Sequence, residues 1–133
     1  MRALSIVVAI VVASVGGAAL ALAQEGHPVK GSWLGTWGPS QTHSADIVLV
    51  MNWDGKTITG TINPGTDDMP IKNAILNPDG WVLRFEADGK DKAGNTVSYV
   101  VEGKIERIEL HNRSIVGTWK SQKESGPFRI SRQ

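Results

Sequence analysis

Apolar and polar residues alternate with a period of two along most of the chain after residue 30, and turn-forming residues interrupt the alternation at short intervals. The clearest case is residues 57–62, where threonines face one side of a strand and isoleucines face the other. Helical periodicity does not persist over a useful length in this region. The pattern predicts eight strands, at residues 31–38, 45–52, 57–62, 69–76, 81–87, 96–110, 114–121 and 127–132.

Two of these stretches depart from simple alternation. Residues 45–52 are apolar on both faces, which is typical of a strand that is covered on both sides. The phase changes within residues 96–110, because Ile108 and Leu110 do not share the parity of Tyr99. One extra residue near 106–107 would restore the register, so the sequence predicts a β-bulge there.

Short loops join the predicted strands, so neighbouring strands are expected to pair as antiparallel hairpins without crossover helices. Eight strands in an up-and-down order can close into a barrel, which removes both exposed sheet edges. The strand at residues 69–76 is expected to carry Ile71 and Ile75 inward. The predicted fold is therefore an all-β, eight-stranded up-and-down antiparallel β-barrel. A β-sandwich is the alternative, because short and regularly spaced strands fit it as well.

The first residues have the features of an export signal. Arg2 supplies a positive charge, an apolar run covers residues 4–22, and Ala21-Leu22-Ala23 has the small-x-small cleavage pattern. We expect a signal peptide over residues 1–23, a flexible leader over 24–30 and a lipocalin-like barrel domain over 31–133. The protein would then be exported to the periplasm or the extracellular space. A retained membrane anchor is the alternative, since the apolar run is long enough to span a bilayer.

Composition narrows the classes of partner. Cleavage after Ala23 would remove Arg2 from the 14 basic residues of the 133-residue chain, which leaves 13 basic and 13 acidic residues. This balance, without a basic run, argues against nucleic acid and against anionic membrane surfaces as partners. The chain contains no Cys. Packing and hydrogen bonding therefore have to hold one domain together without disulfides.

The most distinctive motifs are Gly35-Thr36-Trp37, Gly117-Thr118-Trp119 and an arginine in the last strand, Arg132. They resemble the lipocalin and avidin-like barrels that are grouped as calycins. In lipocalins a Gly-x-Trp places its Trp at the closed end of the barrel, against an Arg of the last strand. The resemblance implies that Trp37 and Arg132 form a structural clamp, and a guanidinium on an indole face would stabilise it. Gly31-Ser32-Trp33 is a second, overlapping copy of the motif.

Most aromatic residues have inward parity, which fits either core packing or an apolar pocket with Tyr99 as its polar group. In the pocket interpretation, a cavity that opens opposite Trp37 is lined by Trp81, Phe85, Tyr99 and Trp119. Trp53 is different because it lies in a predicted hairpin turn, where burial is difficult. It is expected to line a rim or to face a partner.

The sequence predicts neither a catalytic group nor a metal site or cofactor. His27, His43 and His111 lie in the predicted leader or in loops, without the spacing of zinc ligands. The acidic pair at residues 67–68 does not match a calcium-binding loop. A Gly-x-Ser-x-Gly elbow is missing from the sequence, and no carboxylate pair has a context that would separate its two pKa values.

Two functions from different classes remain. The preferred one is a non-enzymatic exported binding protein that holds a small hydrophobic ligand, and it predicts a void in the barrel and an open rim of loops. The alternative is a protein-binding barrel such as a protease inhibitor, which predicts a filled core with Trp53 and the loop at 63–68 exposed. An enzyme on a lipocalin-like barrel comes third, because the sequence indicates no residue that would act as acid, base or nucleophile.

Overall fold

The computed structural model describes residues 27–40, 42–65 and 68–133. The predicted signal peptide and residues 24–26 of the predicted leader lie outside this part. The strands are β1 Gly31–Trp37, β2 Ala45–Trp53, β3 Ile58–Ile62, β4 Met69–Asn77, β5 Val82–Lys90, β6 Thr96–Glu106, β7 Ser114–Lys120 and β8 Ser125–Arg132. Within these ranges the chain has no helix that is long and apolar enough to cross a membrane.

Every strand pairs antiparallel with its neighbours in the sequence, and β8 pairs with β1. The sheet therefore closes as an eight-stranded up-and-down barrel, which confirms the predicted fold class and makes the sandwich alternative wrong. All eight strands contribute inward apolar side chains to one core. The described residues include no buried polar or charged side chain. Burial of this apolar surface is the main stabilising contribution to the barrel.

The β1–β8 seam that closes the barrel depends on Gly35. A Cβ atom at this position would lie 1.8 Å from the carbonyl oxygen of Arg129 on β8. Gly117 on β7 has the same role against β6, where a Cβ would lie 2.0 Å from the Glu102 oxygen. Both Gly-Thr-Trp motifs therefore supply a glycine where two strands approach too closely for a side chain.

Ile75 does not point inward, although its parity predicted that it would. The pairing of β4 with β5 shifts register between Lys72 and Ile75, and Asn73 adopts a left-handed conformation with φ 53°. The extra residue reverses the side-chain alternation. Ile71, before the bulge, is 8% exposed, whereas Ile75, after it, is 63% exposed.

Two further sequence predictions are wrong in detail. β6 ends at Glu106, and Arg107 turns the chain with φ 56°, so Ile108 and Leu110 belong to a loop and not to a bulged strand. The outer face of β2 is not covered by another layer, because Val50 is 39% exposed. The apolar residues on the outer face of β2 therefore do not indicate a second covering layer.

The two ends of the barrel differ. We call the end formed by residues 27–30, Trp33 and Arg132 the closed end, because residues 27–30 cross it before β1 begins. We call the other end the mouth, and define it by Trp37, Tyr99 and Trp119, which lie beside the loops that follow β1 and precede β6. The candidate sites lie at these two ends.

Candidate functional site

Three aromatic rings from different strands meet at the mouth. Trp37 ends β1, Tyr99 lies on β6 and Trp119 lies on β7. The ring centroids are 5.5 Å apart for Trp37 and Tyr99, 5.4 Å for Trp37 and Trp119, and 5.9 Å for Tyr99 and Trp119. All three pairs are tilted or edge-on, the arrangement that aromatic quadrupoles favour. The cluster therefore forms a contiguous aromatic floor at this end of the barrel.

The three rings differ in exposure and in anchoring. Trp119 is 5% exposed, and its Nε1–H donates a hydrogen bond of 3.1 Å to the carbonyl of Gly38 in the loop after β1. Trp37 and Tyr99 are half-buried. A molecule approaching from solvent would therefore meet Trp37 and Tyr99 first, with Trp119 fixed behind them.

The barrel interior beneath this floor is filled by its own side chains. The void there has a volume of about 20 Å³. It is lined by Trp37, Ile47, Leu49, Ile62, Phe85, Tyr99, Val101, Trp119, Phe128 and Ile130. A space of this size holds about one water molecule, whereas ligand pockets measure roughly 300–1,000 Å³. The expected ligand-sized cavity is therefore not formed by the described residues.

Ligand-sized space lies instead outside the aromatic floor, among the loops. Three surface clefts with volumes of about 340, 380 and 850 Å³ border on Tyr99. Trp37 lines the smallest and the largest of them. The mouth is therefore a shallow aromatic surface surrounded by open clefts.

Burial and nearby acidic residues raise the pKa of the Tyr99 hydroxyl. Desolvation by burial raises the pKa of the Tyr99 hydroxyl above its usual value of 10.0, and the negative charges of Glu124 and Asp91 raise it further. The hydroxyl therefore stays protonated at neutral pH and can donate a hydrogen bond. It is the polar group of an otherwise apolar floor.

The acidic residues of the β5–β6 hairpin beside the mouth have structural partners. Asp88 accepts hydrogen bonds from Lys72 Nζ at 2.7 Å and from Ser98 Oγ at 2.9 Å, and these bonds lower its pKa below 3.8. Asp91 accepts the backbone N–H groups of Ala93 and Asn95. Both carboxylates are ionised and exposed, and they hold the hairpin in shape. This is the opposite of the raised pKa that a catalytic acid needs.

The closed end is built around Trp33 and not around Trp37, so the predicted clamp of Trp37 with Arg132 is wrong. Trp33 lies opposite Arg132 in the β1–β8 register, whereas Trp37 lies opposite Phe128. The two tryptophans are four positions apart along the strand, a distance of roughly 13 Å. The overlapping motif Gly31-Ser32-Trp33 therefore supplies the tryptophan of this end.

Arg132 holds backbone and imidazole groups at the closed end. Its Nε donates to the carbonyl of Lys30 at 2.7 Å, and its Nη1 lies 2.7 Å from Nδ1 of His111. The guanidinium also covers Gly31, where a Cβ would lie 2.9 Å from Nε. Arg132 therefore ties the last strand to the chain that enters β1.

Residues 27–30 are packed against the barrel, in contrast to the flexible leader that the sequence predicted over 24–30. Val29 is fully buried, and its carbonyl accepts the Trp33 indole N–H at 2.8 Å. The Pro28 carbonyl accepts a bond of 2.8 Å from Arg113 Nη1. The His27 ring stacks on Trp53 with a centroid distance of 4.5 Å, and burial lowers its pKa below 6.5. Local sequence did not predict this docking because its partners other than Trp33 are distant in the chain.

Trp81 is separated from the other three predicted ligand residues. Phe85, Tyr99 and Trp119 surround the small void beneath the mouth. Trp81 precedes β5, has a φ of 55°, and lies at the closed end in a surface groove that also contains Trp53. Trp81 does pack against the core, as its parity predicts, but it lies just before the first residue of β5. That position along the barrel axis puts it at the closed end, away from the mouth.

Trp37 is the mouth residue that sequence reasoning assigned to the wrong end. Trp33 and Trp37 have the same parity, so the pattern puts both on one face of the strand. The four-residue spacing was the available signal, because it prevents both side chains from reaching the same end of a barrel.

The described residues place no group of three or more His, Cys, Asp or Glu where it could hold a metal ion.

Comparison with known proteins leaves the fold as the main constraint. No protein-family model, curated protein or solved structure matches this chain. The strand number and the up-and-down order are compatible with a lipocalin-like fold. The features that bear on function therefore lie at the two ends of the barrel.

Proposed function

We propose that this chain is a non-enzymatic, lipocalin-like binding protein that takes a small hydrophobic ligand at its mouth. The observation that carries the proposal is the convergence of Trp37, Tyr99 and Trp119 at one end of a closed barrel, beside clefts of ligand size. Aromatic side chains offer large, rigid apolar surfaces, and their stacking contributes about 0.5–1.5 kcal/mol per pair beyond burial. The proposed ligand contains a flat apolar group that lies on this floor.

The filled interior favours binding on the floor over binding deep in the barrel. A void of about 20 Å³ accepts no organic ligand unless core side chains move. Trp37 and Tyr99, which are half-buried, can be covered without such movement. The protonated Tyr99 hydroxyl can supply a directional contact, a hydrogen bond to a polar atom at the edge of the ligand.

Other parts of the proposal come from the sequence. Export follows from the predicted signal peptide over residues 1–23, with the protein acting in the periplasm or the extracellular space. Membership of the calycin group follows from the Gly-x-Trp motifs and is supported by the barrel topology. A binding role without catalysis agrees with the structural partners of Asp88 and Asp91.

The test is a titration of the ¹⁵N-labelled protein with fatty acids, retinoids and a neutral apolar dye, followed through the tryptophan indole N–H signals. Trp→Phe variants assign the five signals. The proposal expects saturable shifts of the Trp37 and Trp119 signals at one ligand per chain. Trp37→Ala should weaken binding at least about tenfold, the equivalent of about 1.4 kcal/mol. Leu34→Ala, on the exposed outer face of the same strand, is the matched control and should bind normally.

One variant separates the contribution of stacking from that of hydrogen bonding. Tyr99→Phe keeps the ring and removes the hydroxyl, so it should retain most of the affinity for apolar ligands and lose affinity for ligands with a polar edge. Ligands that shift no indole signal of the mouth, in a protein that melts cooperatively, would contradict the proposal.

The filled interior also favours a second candidate, a protein-binding barrel such as a protease inhibitor. Pro64 and Gly65 in the loop after β3 are exposed, as this candidate requires. Trp53 fits it less well, because His27 stacks on it and leaves it half-buried. A panel of proteases assayed at stoichiometric amounts of the protein tests this candidate, and full inhibition of one of them would favour it over the binding barrel.

A further inference from the structure

A second apolar groove lies at the closed end, on the opposite side of the molecule from the mouth. It is bounded by the turn after β2 and by the end of β4 with the turn that follows. Trp53 and Trp81 both line it, and its volume is about 440 Å³. This volume is within the range of small-molecule sites, and it is about twenty times that of the void in the barrel.

The walls of the groove are positioned by two residues in left-handed conformations. Asn73 in the β4 bulge has a φ of 53°, and the bulge turns Ile75 outward onto the groove. Trp81 has a φ of 55°, and its carbonyl accepts the N–H of Ile105 at 2.9 Å. Left-handed backbone costs free energy for residues other than glycine. Both residues thus contribute to an apolar wall that regular strands would not present.

Trp53 forms the facing wall and is held in place by His27. The His27 ring stacks on it with an interplanar angle of 20°. The His27 Nδ1 atom accepts the backbone N–H of Val29, whose side chain is fully buried. One surface of the groove is therefore anchored to the closed end of the barrel.

The ionisable side chains that line the groove are basic. Among the described residues that line it, the ionisable ones are Lys56 and His27, and both are basic. Asp54, in the same turn as Lys56, does not line the groove; its Oδ1 accepts the N–H groups of Thr57 and Lys56 at 2.7 and 2.8 Å, and these bonds lower its pKa and keep it ionised. Lys56 is the cation among the lining residues with which a ligand in the groove can pair.

We propose that this groove binds a small amphiphile with an apolar body and a carboxylate head, with the body between Trp53 and Trp81 and the carboxylate at Lys56. The apolar walls favour burial of a hydrocarbon chain or ring. Lys56 favours an anionic head over a cationic one. The site is independent of the mouth, so it goes beyond the function proposed above.

The test is a titration of the ¹⁵N-labelled protein with decanoate, below the concentration at which decanoate forms micelles. The proposal expects saturable shifts of the Trp53 and Trp81 indole signals at one equivalent. Decanol and decylamine have the same chain with a neutral and a cationic head. Each should bind more weakly than decanoate, decylamine the most weakly, because its head lies near Lys56.

Two variants on exposed positions test the two halves of the site without disturbing the core. Lys56→Gln should weaken decanoate binding about 3- to 5-fold and leave decanol binding unchanged, as expected for an exposed ion pair. Ile75→Ser should weaken binding of both about fivefold, because it removes an apolar wall. The matched controls are Lys120→Gln and Val50→Ser, which lie on the outer face away from the groove and should bind normally. Thermal melts verify that all four variants fold.

The outcomes distinguish this site from the mouth. Shifts confined to Trp37 and Trp119 would overturn the groove site while supporting the mouth. Unchanged Trp53 and Trp81 signals, or equal binding of decanoate and decylamine, would also overturn it. Neither of these last two results shows whether apolar ligands bind at the mouth.

Discussion

The closed end provides the sharpest test of how the barrel is held together, through the substitution Trp33→Phe. Trp33 is fully buried, and its indole N–H donates to the Val29 carbonyl at 2.8 Å. Phenylalanine preserves an aromatic ring and removes this donor. The Val29 carbonyl would then be buried without its partner, which costs about 1–3 kcal/mol.

The smaller ring adds a packing cost. A void of roughly 30 Å³ at about 24 cal/mol per Å³ costs about 0.7 kcal/mol. With the lost hydrogen bond, we expect Trp33→Phe to reduce the free energy of unfolding by about 3 kcal/mol. For a domain of this length, that lowers Tm by on the order of 15 °C.

Urea unfolding followed by far-ultraviolet circular dichroism measures the change, and an unchanged m value would show that both proteins expose the same surface. Trp119→Phe is the matched control. Its N–H bond to Gly38 is longer, at 3.1 Å, and lies at the mouth, where water can replace the lost donor. We expect it to cost about 1–2 kcal/mol. A loss below 1 kcal/mol for Trp33→Phe, or a larger loss for Trp119→Phe, would refute our account of the closed end.

Three further predictions concern the same framework. Arg132→Ala should lower the free energy of unfolding by about 2 kcal/mol in a urea melt, because it removes the charged donor to the Lys30 carbonyl; Arg129→Ala, whose ion pair is exposed and 3.9 Å long, should change it by less than about 0.5 kcal/mol. Gly35→Ala should prevent closure of the β1–β8 seam, since its Cβ would overlap the Arg129 carbonyl, and circular dichroism should show loss of the cooperative transition. Burial lowers the pKa of His27 below 6.5, so the folded chain binds this proton less readily than the unfolded chain. Stability should therefore fall as the pH decreases from about 6.5 through the folded pKa, and His27→Gln should reduce that dependence in thermal melts; an equal pH dependence in both proteins would contradict it.

The sequence predicted the strands well because their determinants are local. Side chains alternate between two faces in any strand, so the alternation in residues 57–62 indicates a half-buried strand without reference to the rest of the chain. Short turn-rich connections then restrict neighbours to antiparallel hairpins. Eight hairpin-linked strands predict a closed barrel because closure removes the unpaired edges.

The candidate sites were predicted less well, because parity indicates the face of a side chain but neither the position of a bulge nor the end of the barrel at which the side chain lies. Ile75 was assigned to the core from its parity, and only the pairing of β4 with β5 reveals the extra residue that turns it outward. Parity predicts a pocket position for Trp81 in the same way, but its place just before β5 puts it at the closed end. A one-residue change in register reverses a side chain, and local patterning does not specify where that change occurs.

The sequence by itself thus determined the number, order and pairing of the strands, and which residues of each regular strand face inward. Tertiary structure alone decided that Trp33, and not Trp37, lies at the end that Arg132 occupies, and that Val29 is buried there. It also decided that the interior is full, so that ligand-sized space lies outside the barrel. The physical reason is range: alternation acts between adjacent residues, whereas the β1–β8 register and core packing join residues about a hundred positions apart.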